Sequence, residues 1–283
     1  MAGIGLVAIR RRMKSVTNTQ KITRAMGIVA TSKLRKIRVK LEDNEHYQDY
    51  FEDIKDYILN SLEGENLYTK ENKESKTLFL VITSNLGLCG GHNINVINEV
   101  MSRLPHNKED FILMVIGKKG KSYLNKFKVP IEKEFLNISD DPGLEDANDI
   151  SKLILNMYRD NSINSVYVVY TKFISTVKQV VETRKILPLE ISNDINSEYD
   201  FEFETTADNI LEEIIEPYIN EKLLYYLLNS KVSEQASRMT AMNGATRNAK
   251  DILDKLTARY NRIRQSGITE EISEIIGGAE AQK

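Results

Sequence analysis

The sequence predicts an α/β protein in which two long terminal helices pair antiparallel as a coiled coil and flank a central domain built on a mainly parallel sheet. Three observations carry this. Near both ends of the chain, apolar residues repeat at alternating spacings of three and four, the seam pattern of a coiled coil. The middle instead holds short apolar runs rich in β-branched and aromatic residues, separated by amphipathic stretches, as strands alternating with helices would be. Only five prolines occur in 283 residues, none of them before Pro105, so nothing interrupts a long N-terminal helix.

The first seam runs through Ile9, Met13, Val16, Gln20, Thr23, Gly27, Ala30, Leu34, Ile37 and Leu41, and resumes at Phe51, Ile58 and Leu62. It places an N-terminal coiled-coil helix within residues 1–62. The opening MAGIGLVAIRRRMKS has its apolar residues before its arginines, the reverse of a secretory signal peptide, and the helical pattern runs on past it, so the segment reads as mature structure. Residues 1–41 hold eleven lysines and arginines, from Arg10 to Lys40, and no acid, although the whole chain carries a net charge of −2. A basic arm on a near-neutral chain points to an anionic partner surface.

The central domain is assigned to residues 76–191. TLFLVITS (77–84), DFILMVIG (110–117) and SVYVVYTKF (165–173) read as buried strands. The amphipathic stretches near 92–104, 117–127 and 144–160 read as the helices between them, and KQVVETRKILPLE (178–190) as an edge strand. The alternation makes this domain Rossmann-like. Residues 62–76 and 192–206 are polar joints. The second seam follows in residues 207–277, through Tyr225, Leu228, Val232, Gln235, Met239, Met242, Thr246, Ala249, Leu253, Leu256, Tyr260 and Ile263. Pro217 suits the first turn of that long helix, where its missing N–H costs nothing, and Gly277 and Gly278 suit its end. From Pro217 to Ile276 the helix would reach roughly 90 Å.

The chemistry-bearing residues are sparse. The turn SNLGLCGGHN (84–93) lies between a strand and a helix, the order of a phosphate-cradling loop, but it matches neither G-x-x-x-x-G-K-[ST] nor G-x-G-x-x-G. A tight turn in which glycine permits positive φ is the favoured reading; the alternative is an α/β nucleotide-binding enzyme that uses the Gly87–Gly91 turn. Cys89 and His92 lack an identifiable third group for nucleophilic catalysis, and a lone cysteine reads as a structural thiol in a reducing compartment. No catalytic, cofactor-binding or metal-ligating residue, and no cofactor, is expected. No apolar run approaches the ~20 residues that span a bilayer, so direct membrane insertion is not expected. The basic arm carries no aromatics for base stacking, which argues against nucleic acid. It suits better a helical shaft that runs inside a protein socket with acidic walls. The seam narrows at Gln20, Thr23, Gly27 and Ala30, opposite AMNGATRNA (241–249), as if thinness or sidedness mattered more there than mutual burial.

Three motifs give the chain a family resemblance. RRMKSVTNTQKITRAMGIVATSKLRK (11–36) closely resembles the N-terminal helix of the gamma subunit of rotary F-type ATP synthases, SEQASRMTAMNGATRNAKDILDKLTARYNRIRQSGITEEISEIIGGAEA (233–281) resembles its C-terminal helix, and SNLGLCGGHN resembles its glycine-rich turn. The resemblance implies a non-catalytic rotor of a proton- or sodium-transporting ATPase, peripheral to the cytoplasmic face of a bacterial cell membrane. Its paired helices would thread three alpha and three beta subunits, and its central domain would rest on the epsilon subunit and the membrane c-ring, with delta in the same complex. By position, subunit contacts carry over to Met26, Lys33, Glu234, Arg238, Arg264, Gln265 and Thr269. The chain departs from the family's usual pattern at Asn85, Leu86 and His92, which stand for aspartate, arginine and phenylalanine, and at Asn243, Gly244 and Arg247 in the waist. With one cysteine, the disulfide switch of chloroplast relatives is not expected.

Overall fold

A computed structural model of the chain describes residues 2–62, 64–70, 75–190 and 205–280. Most of the expected joint at 192–206, and residues 63 and 71–74 of the joint at 62–76, lie outside these. The chain divides into two compact units, one of residues 1–30 and 239–283 and the other of residues 31–238.

In sequence order the elements are α1 (Ala2–Asn60), β1 (Lys76–Ile82), α2 (His92–Arg103), β2 (Phe111–Ile116), α3 (Lys118–Lys126), β3 (Lys133–Phe135), α4 (Leu144–Arg159), β4 (Ile163–Phe173), β5 (Gln179–Leu187) and α5 (Ala207–Glu280). The five strands form one sheet in the order β3-β2-β1-β4-β5. β1 pairs parallel with both β2 and β4, and β3 parallel with β2, whereas β5 runs antiparallel on the edge beside β4. β1 lies in the middle and is buried from Leu78 to Ile82, which is why it reads as a continuous apolar run rather than an alternating one. Phe79, Val81, Leu113, Val115 and Val169 pack on one face of the sheet with Val96, Ile97 and Val100 of α2 and Leu124 of α3. On the other face Tyr170 packs tilted against Tyr226 of α5, with ring centroids 4.5 Å apart. Burying this much aliphatic and aromatic surface, at about 25 cal/mol per Å², is what holds the unit together.

The terminal helices pair antiparallel within the first unit. Arg10 Nη2 donates to the Tyr260 hydroxyl at 2.8 Å, and the Thr23 and Thr246 hydroxyls meet at 2.8 Å. A Cβ on Gly27 would lie 3.2 Å from Asn243 Oδ1 and 3.6 Å from Met242 Cβ. Each step forward along α1 meets a step backward along α5. The narrowing expected at Gly27 is therefore real, but Gly244 does not contribute to it: a Cβ there would meet nothing within 4 Å.

Three expectations need correction. α5 begins at Ala207, so Pro217 lies inside the helix and not in its first turn. The carbonyl four residues before it loses its N–H partner, but Leu211, Ile215, Tyr218 and Ile219 are all buried, and this packing carries the helix through the proline. At the other end α5 runs past Gly277 and Gly278 to Glu280. Glycine permits a left-handed stop but does not require one, and neither residue has a neighbour that would hold the chain in a turn. Finally, β3 has no counterpart in the sequence reading.

Candidate subunit-contact surfaces

In the second unit, α5 passes through a fully packed environment: from Leu223 to Ala236 nearly every residue is buried, the charged Lys231 and Glu234 included. Arg238, at the end of this run, is 6% exposed and makes its bonds at home. Its Nη2 donates to Glu234 Oε1 at 2.8 Å, to the Leu86 carbonyl at 3.0 Å and to the Gly87 carbonyl at 3.3 Å. Glu234 also lies 3.7 Å from Lys231. An arginine presents several donors in a fixed fork, and here the fork locks the glycine-rich turn onto α5. Both residues were expected to contact another subunit; in this chain they are buried in an internal clamp.

The turn is held from its other side as well. Asn93 Oδ1 accepts from the Ser84 N–H at 2.9 Å, and Asn85 Oδ1 accepts from the Lys118 N–H at the start of α3 at 3.1 Å. Gly90 takes φ 57, and Leu88, which is not glycine, takes φ 61. The turn thus presents carbonyl oxygens, and an arginine plugs them. A phosphate cradle needs the reverse, with free N–H groups converging on the anion, so the nucleotide-binding alternative finds no support in this geometry. Asn93 Nδ2 lies 3.2 Å from Cys89 Sγ, and burial pushes the thiol's pKa up, away from a reactive thiolate. Among the described residues, no group of three or more His, Cys, Asp or Glu is placed to hold a metal.

His92 is the least comfortable residue of the turn. It is 4% exposed, and neither ring nitrogen has a hydrogen-bond partner. Burial pushes its pKa down to about 4, with Glu234 opposing in part. A histidine whose folded pKa lies below its unfolded value of ~6.5 stabilises the fold above pH 6.5 and loses that stability as pH falls toward 4, a loss of about 2 kcal/mol by pH 5. Replacing it with the family's usual phenylalanine, His92→Phe, is expected to flatten this dependence. Thermal midpoints of the two chains at pH 7.5 and pH 5 would show it, and parallel losses in both would mean that His92 does not titrate as a buried group.

Lys33, also expected as a partner contact, reaches Asp140 Oδ2 at 2.6 Å. With Lys36–Asp141 at 2.7 Å and Lys40–Asp141 at 2.5 Å, it fastens the loop before α4 to α1. The sequence reading did not single out these aspartates; the paired acids of ISDDPG, set against a basic stretch with no acid before Glu42, were the available signal. In the first unit, Met26 is half-buried, and Arg264, Gln265 and Thr269 are exposed. Thr269 Oγ1 donates back to the Gln265 main-chain carbonyl at 2.9 Å. Around these residues Ile268, Ile272, Ile275 and Ile276 stand 48–71% exposed, more apolar surface than a helix end facing only water needs. No helix among the described residues is long and apolar enough to cross a membrane.

Comparison with known proteins agrees with these observations. The family model described as ATP synthase matches residues 5–282. The chain is 50% identical over its full length, and the full length of the relative, to the ATP synthase gamma chain of Clostridium kluyveri. It is 49% identical, again with complete coverage of both, to that of Clostridium novyi. Among solved structures, it resembles a chain of the Euglena gracilis mitochondrial ATP synthase (OSCP/F1/c-ring) with a TM-score of 0.74 and 18% identity, over 99% of this chain and 95% of that one. It also resembles a chain of the central stalk and c-ring of the Tetrahymena thermophila mitochondrial enzyme, with a TM-score of 0.62 and 25% identity, over 79% of this chain and 99% of that one. The match of the family model to residues 5–282 and full-length identity near one half to gamma chains place the chain in the ATP synthase gamma-chain family.

Proposed function

We propose that this chain is the central rotor shaft of an F-type ATP synthase, itself non-catalytic, and couples ion flow through a membrane ring to ATP synthesis or hydrolysis in a surrounding head. The observation that carries the reading is the antiparallel pair of α1 and α5, from Arg10–Tyr260 to Gly27–Asn243, bearing exposed isoleucines outward. The partners are three alpha and three beta subunits around the helices, the epsilon subunit and c-ring beside the α/β unit, and delta elsewhere in the complex. The chain would sit peripherally at the cytoplasmic face of the cell membrane, with no span of its own. The two sides of such a shaft are chemically unlike, so each orientation interacts differently with each beta conformation. Only such differential contact can shift a conformational equilibrium.

Met26, Arg264, Gln265 and Thr269 remain the contact candidates, because their side chains are available. Lys33 would have to exchange its Asp140 partner first. Arg264→Ala and Gln265→Ala are each expected to lower ATPase and synthesis rates of the reconstituted complex about tenfold, the worth of one hydrogen bond to a charged group, with subunit stoichiometry unchanged. Turnover at the unsubstituted rate in both would remove these positions from the coupling surface, and recovery of the chain as a free monomer unable to enter a head complex would overturn the rotor reading itself.

A further inference from the structure

In the first unit a cleft of about 690 Å³ opens between the two helices, lined by Thr17, Gln20, Lys21 and Arg24 of α1 and by Asn243, Thr246 and Arg247 of α5. Its volume falls within the range of ordinary small-ligand sites. Three of the seven residues are cations and none is an acid, and α1 has no acid before Glu42 that could reach them. Most lysines further along α1 have been given partners: Lys33, Lys36 and Lys40 all bind Asp140 or Asp141. Among the described residues, Lys21, Arg24 and Arg247 make no such ion pair. Asp251, one turn beyond Arg247, does not line the cleft. Three exposed like charges therefore line one cleft with no carboxylate among its lining residues.

The neutral residues indicate what would offset this charge. Thr246 is committed, its hydroxyl 2.8 Å from the Met242 carbonyl and 2.8 Å from Thr23 Oγ1. The Thr17 hydroxyl and the Gln20 and Asn243 amides remain as donors around the cations. Two guanidinium forks, an ammonium and three neutral donors exceed what the two oxygens of a carboxylate can accept. A tetrahedral oxyanion offers more oxygens and suits the arginine fork in two-pronged contact.

We propose that this cleft is a binding site for a phosphate-type oxyanion, either free phosphate or pyrophosphate or the phosphate chain of a nucleotide. Arg247 completes it, the one cation that α5 contributes to the cleft. It is independent of the rotor reading, since it requires only the paired helices.

Calorimetric titration of the full-length chain with pyrophosphate, ATP and adenosine, at fixed chloride, tests this. Pyrophosphate should bind saturably at one site and weaken as salt rises. Arg247→Asp and Arg24→Gln, both at exposed positions and checked for unchanged thermal midpoints, should each weaken it at least tenfold. Lys14→Gln, an exposed cation outside the cleft, should leave it within twofold. ATP binding as tightly as pyrophosphate would assign the site to the phosphate group alone, and ATP binding tenfold tighter would assign it to a nucleotide's phosphate chain. The proposal is overturned by the absence of saturable binding, by an equal loss in Lys14→Gln, by adenosine binding as well as ATP, or by poly-glutamate binding where pyrophosphate does not.

Discussion

Arg238→Met is expected to destabilise the second unit by about 3–5 kcal/mol, the usual cost of removing one partner from a buried ion pair. The replacement fills similar space, so the loss would be electrostatic and not a cavity. Glu234, at 3% exposure, would keep only Lys231 at 3.7 Å, the Gly87 carbonyl would lose the arginine fork, and the Leu86 carbonyl would keep only the Ser84 hydroxyl at 2.6 Å and the more distant Cys89 thiol. For a unit of this size the thermal midpoint should fall by roughly 10 °C, and hydrogen exchange should quicken first in the turn around residues 84–91. The double variant Glu234→Leu/Arg238→Met separates this from general loss of packing. Removing both charges should recover part of the stability, giving a coupling of at least ~1 kcal/mol in the double-mutant cycle. A cost under ~1 kcal/mol with no coupling would mean that the arginine is free to serve another subunit, as its position in the motif first suggested.

The contrast between Arg238 and Arg264 shows where the sequence was legible and where it was not. Both are basic residues in the same long helix, and both match the same family motif. What separates them is burial, and burial depends on neighbours distant in sequence. Around Arg238 the helix is walled in by β4, β5 and the glycine turn; around Arg264 it is not. Strand positions, by contrast, were legible because LFLVI and nearly all of FILMVI are buried on both faces and therefore apolar throughout. β3 is only Lys133–Phe135, half-exposed, and three residues carry no period to detect.

The helix seams read well where they are apolar and poorly where they are not. Between Leu41 and Ile58 the same three-and-four rhythm continues through Asn44, Gln48 and Lys55, all buried at 6–8% exposure. Asn44 donates to Glu221, which burial makes harder to ionise, and Lys55 pairs with Glu52 and Asp56. A hydrophobic template skips such positions, although the helix buries them all the same. The glycines misled in a related way. Gly87, Gly90 and Gly91 resemble a phosphate loop, but only Gly90 among them takes positive φ, and the fold's most demanding glycines lie in the next strand-to-helix turn, in GKKG.

Gly117→Ala is therefore expected to be among the most damaging single-atom additions the chain could receive. Gly117 has φ 98, and a Cβ there would come within 2.4 Å of the Thr83 carbonyl oxygen and 2.8 Å of that of Ser84. Backbone strain at such an angle costs of order 1–3 kcal/mol by itself. The clash adds to it, because the obstructing atoms are backbone at the end of the central strand and cannot rotate aside. Relief requires β2 and α3 to move off β1. That would break the Thr83 N–H bond to the Ile116 carbonyl (2.9 Å) and the bond from Gly120 N–H to Thr83 Oγ1 (2.9 Å). A total of about 4 kcal/mol or more should lower the midpoint of the α/β unit by roughly 10 °C or leave the chain insoluble. Gly244→Ala is the matched control: it lies within α5, a Cβ there meets nothing within 4 Å, and it should stabilise by up to about 1 kcal/mol. Circular-dichroism melts of both variants against the unsubstituted chain decide the matter, since equal midpoints for Gly117→Ala and Gly244→Ala would show that the second βα turn is not held against β1 as described.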